Sequence, residues 1–226
     1  MSFGKMPIAN GFLDSTDFER EYFYELKPMF CENCLTFQIS EQPDPEKMFH
    51  QNYAFFSRTS NRMVNHFKSY ADWVTEQYLT NVDPFVVEIG SNDGSMLKNF
   101  SRKNIRHLGI EPSSNVAEEA RKHGVNTLCS FFNLTTAKKI ASEHGYADAL
   151  IAANVMCHIP DLHGLAQGID HLLNPMGVLV FEEPYLGDMI KNNAYDQIYD
   201  EHVYIFSTRS VKNIFSKHGF ELINVE

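Results

Sequence analysis

The chain has 226 residues, of which 43% are hydrophobic and 21% charged, and its formal net charge at pH 7 is −10. This length is enough for one α/β core plus a small appendage. The acidic balance argues against a nucleic-acid surface, which needs a basic patch to neutralise phosphates. With no run of 18 apolar residues to span a membrane and no secretory signal pattern, we expect a cytoplasmic, monomeric protein that acts on a small molecule.

Residues 1–80 predict an accessory region, because they are rich in aromatic residues, interrupted by prolines and without alternating strands and helices. Segments 22–26 and 35–39 read as two strands flanking Cys31 and Cys34, as in a zinc-ribbon-like module. A structural zinc site needs four ligands, and no second pair is present, so the expected zinc site is incomplete. Two free cytosolic thiols are therefore the favoured interpretation of this pair, and a zinc site is the alternative. A long linking helix is predicted over 59–78.

The main domain is predicted over residues 81–226, since strands and helices alternate from Pro84 onward. This order is typical of a doubly wound parallel sheet. A helix over 207–217 then leads to a sixth strand over 220–225. The other strands are predicted at 85–90, 106–110, 125–128, 147–152 and 177–181, and the helices between them at 95–102, 114–122, 135–143 and 161–172.

The most informative segment follows the first of these strands. Gly90 and Gly94 frame a Gly-x-x-x-Gly loop through Ser91, Asn92 and Asp93. Glycines without Cβ atoms let the backbone approach a ligand closely. The spacing differs from the G-x-G-x-x-G of dinucleotide-binding turns, and Glu88 just before the loop suits a cationic or hydroxyl-bearing ligand. The loop resembles the cofactor loop of S-adenosylmethionine (SAM) methyltransferases.

Further cofactor contacts are predicted beyond the ends of the neighbouring strands, where ligands bind in such sheets. Glu111 ends the second strand 23 residues after Glu88, close to the roughly 20 residues expected before a ribose-binding acid. After the third strand, Ser130 and the two phenylalanines that follow it could flank an adenine. The full set of candidates beyond the loop is Glu111, Pro112, Ser113, Ser130, Phe131, Phe132 and Asn154.

Tyr199, Glu201 and His202 place proton-transfer groups in the connection after the fifth strand. Methyl transfer to carbon needs a base, because the carbon must first become a carbanion or enolate. The alternative interpretation of this stretch is a polar loop that caps a helix.

Together these segments resemble the nucleotide-sugar C-methyltransferase family, the deoxysugar 3-C-methyltransferases. The resemblance runs over nearly all of the chain, and its most specific stretch is 196–202. The other segments that carry it are the Cys31 and Cys34 pair and residues 48–53, 87–94, 107–114, 153–160 and 181–188.

The resemblance implies a class I SAM-methyltransferase fold and a reaction on a nucleotide-linked 4-keto-deoxysugar. A base removes the C3 proton, and the enolate attacks the SAM methyl group. By motif, His202 is the candidate base, with Tyr199 and Glu201 beside it. His158 and Tyr53 are expected near the ketone, where donors can stabilise enolate charge.

The chain also departs from the family pattern. Family members carry an upstream cysteine pair and a long C-terminal region, so we expect a truncated product containing the catalytic domain, without a seventh strand. Two other interpretations remain open: a small-molecule O- or N-methyltransferase, and a non-catalytic remnant that binds SAM or nothing.

Overall fold

The computed structural model describes residues 1–226, and the chain forms two compact units. Unit 1 consists of Met1–Met48, Asn154–His163 and Glu183–Glu226, and unit 2 consists of Phe49–Ala153 and Gly164–Glu182. The region predicted as accessory, residues 1–80, is thus divided between the two units. No helix of the chain combines the length and the apolar character needed to cross a membrane.

The regular elements are ten strands and eight α-helices. The strands are β1 (Lys5–Pro7), β2 (Phe23–Glu25), β3 (Pro28–Cys31), β4 (Thr36–Ile39), β5 (Phe85–Ile89), β6 (Arg106–Ile110), β7 (Thr127–Leu128), β8 (Ala147–Ala153), β9 (Leu173–Glu182) and β10 (Tyr204–Ile205). The helices are α1 (Pro45–Met48), α2 (Asn61–Tyr78), α3 (Leu97–Arg102), α4 (Ser114–Lys122), α5 (Leu134–His144), α6 (Leu162–Leu172), α7 (Leu186–Asn192) and α8 (Thr208–Phe215).

Unit 2 contains a five-stranded parallel sheet in the order β7-β6-β5-β8-β9. Its central strand, β5, is buried at every position, because a strand inside a parallel sheet is covered on both faces. Val87 of this strand pairs with Leu108 on one side and Leu150 on the other. The five predicted parallel strands are all present, and their carboxyl ends share one edge of the sheet.

The long helix α2 contributes one wall of the unit 2 core. Ser60 caps its N-terminus by accepting a hydrogen bond from the Met63 amide. Its buried residues, Phe67, Ala71 and Val74, pack into one hydrophobic cluster with residues of β5, α3 and β8. The apolar face of this helix therefore serves core packing.

Unit 1 is held together by short antiparallel strands from distant parts of the chain. Strand β1 pairs with β2, while β10, β4 and β3 form a second sheet in that order. Tyr24, Leu26 and Ile39 form its small core. The backbone N–H of Ile39 donates to the carbonyl of Val203, so the segment before β10 is tied to the N-terminal strands.

Both strands predicted around the cysteines are present, as β2 and β4, but β2 is not the hairpin partner of β4. The strand that precedes Cys34 in the hairpin is β3, which begins at Pro28, rather than the segment 22–26. Proline is tolerated at the first residue of an edge strand, and β3 is the edge strand of its sheet. Leu35, with φ of 60°, turns the chain between β3 and β4.

The sixth strand predicted over 220–225 is absent. The chain beyond Gly219 has no regular structure, and its last six residues are exposed. An apolar segment forms a strand only where a neighbouring strand satisfies its backbone groups, and here it has none. The helix predicted before it is present as α8, with Ser207 as its capping residue and a short 3₁₀ helix, Ser216–His218, after it.

Candidate active site

The glycine loop follows the carboxyl end of β5 and turns sharply. Gly90 and Gly94 have φ of 67° and 75°, and Asn92 between them has φ of 47°. The amides of Gly90 and Ser91 both donate to the carbonyl of Ile110 at the end of β6. A Cβ on Gly94 would lie 2.8 Å from Val125 Cγ2, so the loop needs glycine there for space as well as conformation.

Three buried acidic side chains surround this loop: Glu88, Asp93 and Glu111. Burial raises the pKa of the Glu88 carboxyl well above its usual value, and the neighbouring Asp93 and Glu111 carboxylates raise it further. Burial also raises the pKa of Glu111. The Oε2 atom of Glu111 accepts from the Asn92 amide at 3.0 Å and its Oε1 accepts from the Ser113 amide at 2.8 Å, so its position is fixed.

Asp93 is fully engaged within the chain. Its Oδ2 accepts from the backbone amide of Arg58 at 2.9 Å and from Arg58 Nε at 3.2 Å. Its Oδ1 accepts from the amide and the hydroxyl of Ser95. The geometry makes Asp93 an anchor of the loop, because both of its oxygens are already occupied by donors from unit 2.

Arg58 is a residue that the sequence analysis missed. Besides the two bonds to the Asp93 carboxylate, its Nη2 donates to the Asp93 carbonyl at 2.9 Å and its Nη1 to Glu119 Oε1 at 3.0 Å. The adjacent Ser57 amide donates to Asn92 Oδ1 at 2.9 Å. We call this contact between residues 57–58 and residues 92–93 the loop clamp. No local motif surrounds Arg58, so only its partners 35 residues away reveal it.

Buried polar atoms around the glycine loop that lack hydrogen-bond partners are suited to binding SAM. Glu88 Oε2, Ser91 Oγ and Ser113 Oγ are buried and have no hydrogen-bond partner within the chain. An unsatisfied buried polar atom costs about 1–3 kcal/mol, so these atoms are suited to a ligand that brings its own polar groups. The ammonium and ribose hydroxyls of SAM are such groups, and the buried carboxylates suit its positive charge.

The residues predicted to flank adenine differ in exposure. Phe132 is buried and lies near α6, since a Cβ on Gly168 would be 3.0 Å from its ring. The ring of Phe131 is exposed. The hydroxyl of Ser130 contacts the Phe131 carbonyl and Thr136 Oγ1. Of the two rings, Phe131 is therefore the one available for stacking. Pro112 precedes Ser113, directly after Glu111.

Unit 1 contains a second group of polar residues, organised by the buried carboxylate of Glu183. Its Oε1 accepts from the amides of Val155 at 3.1 Å and Met156 at 2.6 Å, and its Oε2 accepts from the amide of Cys157 at 3.3 Å. Burial raises the pKa of Glu183 to about 7, against the lowering effect of these donors. Three successive amides around one carboxylate form an anion nest, which fixes the segment leading to His158.

His158 and His202 stack, with ring centroids 5.3 Å apart and an interplanar angle of 22°. Burial lowers the pKa of His158 to about 3 and lowers that of His202 below its usual value. The Nδ1 of His202 lies 2.9 Å from the carbonyl oxygen of Gln197. A carbonyl only accepts, so Nδ1 carries the proton and Nε2 carries the lone pair.

Tyr199 packs against His202, with the two ring centroids 4.4 Å apart. Burial raises the pKa of the Tyr199 phenol, and the nearby Glu201 raises it further. The phenol therefore keeps its proton at neutral pH and is available as a hydrogen-bond donor.

The neighbouring acidic residues are held by the N-terminal segment of unit 1. The side-chain amide of Asn10 donates to Glu201 Oε1 at 2.6 Å, and the backbone amide of Ala9 donates to both oxygens of Asp200 at 3.3 Å. Asn10 was not identified from the sequence, since 191 residues separate it from Glu201.

The predicted catalytic residues are distributed over both units. His158, Tyr199, Glu201 and His202 come together in unit 1, which also contains Asn154, with φ of 54°. Tyr53 belongs to unit 2, where it is buried and its carbonyl accepts from Asn115 Nδ2 at 2.9 Å.

The cysteine pair lies at the hairpin turn between β3 and β4. The Cys34 amide is 3.5 Å from Cys31 Sγ, both thiols are free, and the amide lowers the pKa of Cys31. Over residues 1–226, the one group of three metal-ligating side chains is Cys157, His158 and His202, which excludes both cysteines of the hairpin.

Comparisons with known proteins identify both parts of the chain. A family model described as "Methyltransferase domain" matches residues 61–225, and another described as "Putative zinc binding domain" matches residues 1–49. The chain is similar to a C-methyltransferase, NovU, of Streptomyces niveus, with 31% identity over 226 residues. The match covers all of this chain and 54% of NovU, so the chain spans about half the length of that relative.

Solved structures share the fold. A SAM-dependent methyltransferase from Archaeoglobus fulgidus has a TM-score of 0.54 and 15% identity, with 70% of this chain and 69% of that chain covered. The [4+2]-cyclase SpnF has a TM-score of 0.53 and 18% identity, with 70% and 59% covered. These similarities show the fold alone, and they confirm the predicted class I SAM-methyltransferase architecture.

Proposed function

Since the chain belongs to the SAM-dependent methyltransferase family, we propose that it transfers a methyl group to carbon, at C3 of a nucleotide-linked 4-keto-deoxysugar. The similarity to a C-methyltransferase supports carbon as the acceptor. The observation that carries the proposal is the environment of His202 in unit 1. Methylation of carbon requires a base, and the arrangement around this imidazole supports that role.

His202 is the proposed base because its tautomer is fixed by the backbone. The Gln197 carbonyl accepts the proton on Nδ1, which leaves the lone pair of Nε2 free to take a proton from substrate. The ketone of the sugar acidifies the neighbouring C3–H bond, and removal of that proton by Nε2 gives an enolate. SAM, when bound, supplies the electrophilic methyl group.

The residues beside His202 are proposed to stabilise and position this chemistry. The phenol of Tyr199 remains protonated and can donate to the oxygen on which the enolate charge develops. His158, stacked on His202 and fixed through the Glu183 nest, keeps the base in place. Glu201, held by Asn10, completes the proposed catalytic set in unit 1, and Tyr53 is a catalytic candidate by motif alone.

The glycine loop and its neighbours are proposed to hold SAM. Glu88 would accept from the ammonium group and Glu111 from the ribose hydroxyls, and the glycine loop would hold the aminoacyl end. Asp93 would act through the loop clamp. The proposed cofactor residues are Glu88, Gly90, Ser91, Asn92, Asp93, Gly94, Glu111, Pro112, Ser113, Ser130, Phe131, Phe132 and Asn154.

The test is exchange of the substrate C3 proton with deuterated water, followed by NMR, with a thymidine-diphosphate-linked 4-keto-deoxysugar. We expect exchange with the unaltered chain and its loss in His202→Ala. The matched control is His218→Ala, because His218 pairs with His163 elsewhere in unit 1. Unchanged exchange in His202→Ala would rule out the base. Methyl transfer to oxygen or nitrogen without C3 exchange would instead support an O- or N-methyltransferase.

A further inference from the structure

The donor atoms of Cys157, His158 and His202 lie close together inside unit 1. One ligand atom from each side chain lies within 4.8 Å of the other two. A tetrahedral zinc ion with Zn–S near 2.3 Å and Zn–N near 2.0 Å separates its ligands by roughly 3.3–3.6 Å. Small side-chain rotations toward a common centre would therefore bring the three donors to bonding distance.

The chemistry of the three donors selects a borderline or soft divalent ion. A thiolate and two imidazoles are preferred by zinc and similar transition metals, and three protein ligands leave a fourth position for water or substrate. Hard ions such as Mg²⁺ prefer oxygen ligands.

The hydrogen bond on the far side of His202 also matches a metal site. Metal-ligating histidines usually donate their second ring N–H to a carbonyl or carboxylate, which fixes the ring and the tautomer. The Gln197 carbonyl accepts from Nδ1 of His202 at 2.9 Å, so Nε2 has the lone pair that a metal requires. This observation is independent of the clustering of the donor atoms.

The backbone holds the other two ligands rigidly. Cys157 and His158 are adjacent in a short 3₁₀ helix, Met156–His158, and the amide of Cys157 donates to Glu183. Cys157 is fully buried. The thiol therefore has a defined position and does not depend on a flexible surface loop.

We propose that Cys157, His158 and His202 form a binding site for a divalent transition metal ion of the zinc type. On binding, the S–H bond of Cys157 breaks as the metal–sulfur bond forms, and one proton is released to the buffer. The inference that the ion inhibits methyl transfer rests on the proposed function, because a metal on Nε2 of His202 removes the lone pair of the base. Metal binding itself does not depend on that function.

The test is titration of the full chain with Co²⁺, an optical probe for zinc sites. We expect a thiolate-to-cobalt charge-transfer band with one equivalent bound at this site, and loss of that band in Cys157→Ser. His202→Ala should weaken binding by at least about tenfold, the scale on which disturbed ligand sets lose metal affinity. The matched control is Cys129→Ser, which alters an exposed cysteine of unit 2 and should retain the band.

A second cysteine site must be distinguished, because Cys31 and Cys34 could also bind cobalt. A band that persists in Cys157→Ser and disappears in Cys31→Ser would assign the ion to the hairpin and overturn the proposal. Should Cys157→Ser fail to fold by circular dichroism, His202→Ala decides, since unchanged cobalt affinity in that variant also overturns it.

The inhibition is measured separately by adding Zn²⁺ to the C3 exchange assay. Loss of exchange in the unaltered chain, together with resistance in Cys157→Ser, is the expected result. A cobalt band that depends on Cys157 in a chain without any C3 exchange would support the metal site and refute the proposed function. C3 exchange without that band would refute the metal site alone.

Discussion

Replacement of Arg58 by alanine tests the loop clamp, which connects residues 57–58 to the glycine loop. The substitution removes the side-chain hydrogen bonds from Nε to the Asp93 carboxylate, from Nη2 to the Asp93 carbonyl, and from Nη1 to Glu119 and the His123 ring. The backbone bond from the Arg58 amide to Asp93 remains. We therefore expect a loosened loop in a chain that still folds.

The size of the effect follows from burial. Removing one partner of a buried ion pair costs about 3–5 kcal/mol. The Asp93 side chain is 0% exposed, but that of Arg58 is 27% exposed, which gives water partial access. Asp93 also keeps donors from the Arg58 amide and from Ser95. The expected loss in free energy of unfolding is thus about 2–3 kcal/mol, near the value for charged hydrogen bonds.

The assay combines urea unfolding with calorimetric titration of SAM. A roughly tenfold weaker SAM affinity, about 1.4 kcal/mol, is expected because fewer hydrogen bonds then hold the segment with Asn92 and Asp93 in place. Arg58→Lys should recover less than half of both losses, since an ammonium lacks the planar fork of guanidinium. The matched control, Arg62→Ala, alters an exposed arginine in the first turn of α2.

Equal unfolding midpoints for Arg58→Ala and Arg62→Ala would refute the reasoning about the clamp. A loss of stability with unchanged SAM affinity would show that the clamp supports the fold without positioning the cofactor loop.

Three further predictions concern the two groups of site residues. Gly94→Ala should abolish detectable SAM binding and lower the free energy of unfolding more than Gly124→Ala does. Both glycines have positive φ, but only at Gly94 would a Cβ meet a neighbouring atom, at 2.8 Å. Equal unfolding free energies for the two variants would contradict this prediction. The raised pKa of Glu88 means that the folded state disfavours its carboxylate, so the folded chain loses stability as pH rises above the usual carboxyl range. Cationic SAM favours the carboxylate, so SAM binding should release a proton from Glu88. SAM should therefore bind more tightly as pH rises. Calorimetry in buffers of different ionisation heat measures that proton, and Glu88→Gln should remove it; a release that persists would exclude Glu88 as its source. Asn10→Ala should slow C3 exchange by about tenfold, the effect of one lost charge-assisted hydrogen bond, with little change in SAM affinity; an unchanged exchange rate would mean that Asn10 does not position Glu201.

The part of the site that could be predicted from sequence is the part encoded locally. An apolar strand, two glycines four residues apart and a carboxylate at the end of the next strand all lie within one short βαβ segment. Patterns at this range report backbone geometry directly. The glycine loop, Glu88 and Glu111 accordingly lie at neighbouring strand ends of the sheet, as expected.

The rest could not be predicted because it depends on contacts between distant segments. Arg58 meets Asp93 at a separation of 35 residues, and Glu183 meets Met156 at 27. No local pattern marks Arg58, and the motif at 181–188 does not reveal which amides Glu183 accepts from. The segment 220–225 shows the reverse case, since its apolar pattern predicts a strand but no neighbouring strand pairs with it.

The discontinuous construction of unit 1 also affects how the chain is made. The amide of Ala9 can form its hydrogen bond only after Asp200, 191 residues later in the chain, has been synthesised. At about 5–20 residues per second, this delay is roughly 10–40 s. Strands β3 and β4 therefore leave the ribosome long before β10 covers the open edge of β4, and that edge is exposed to other chains throughout this time.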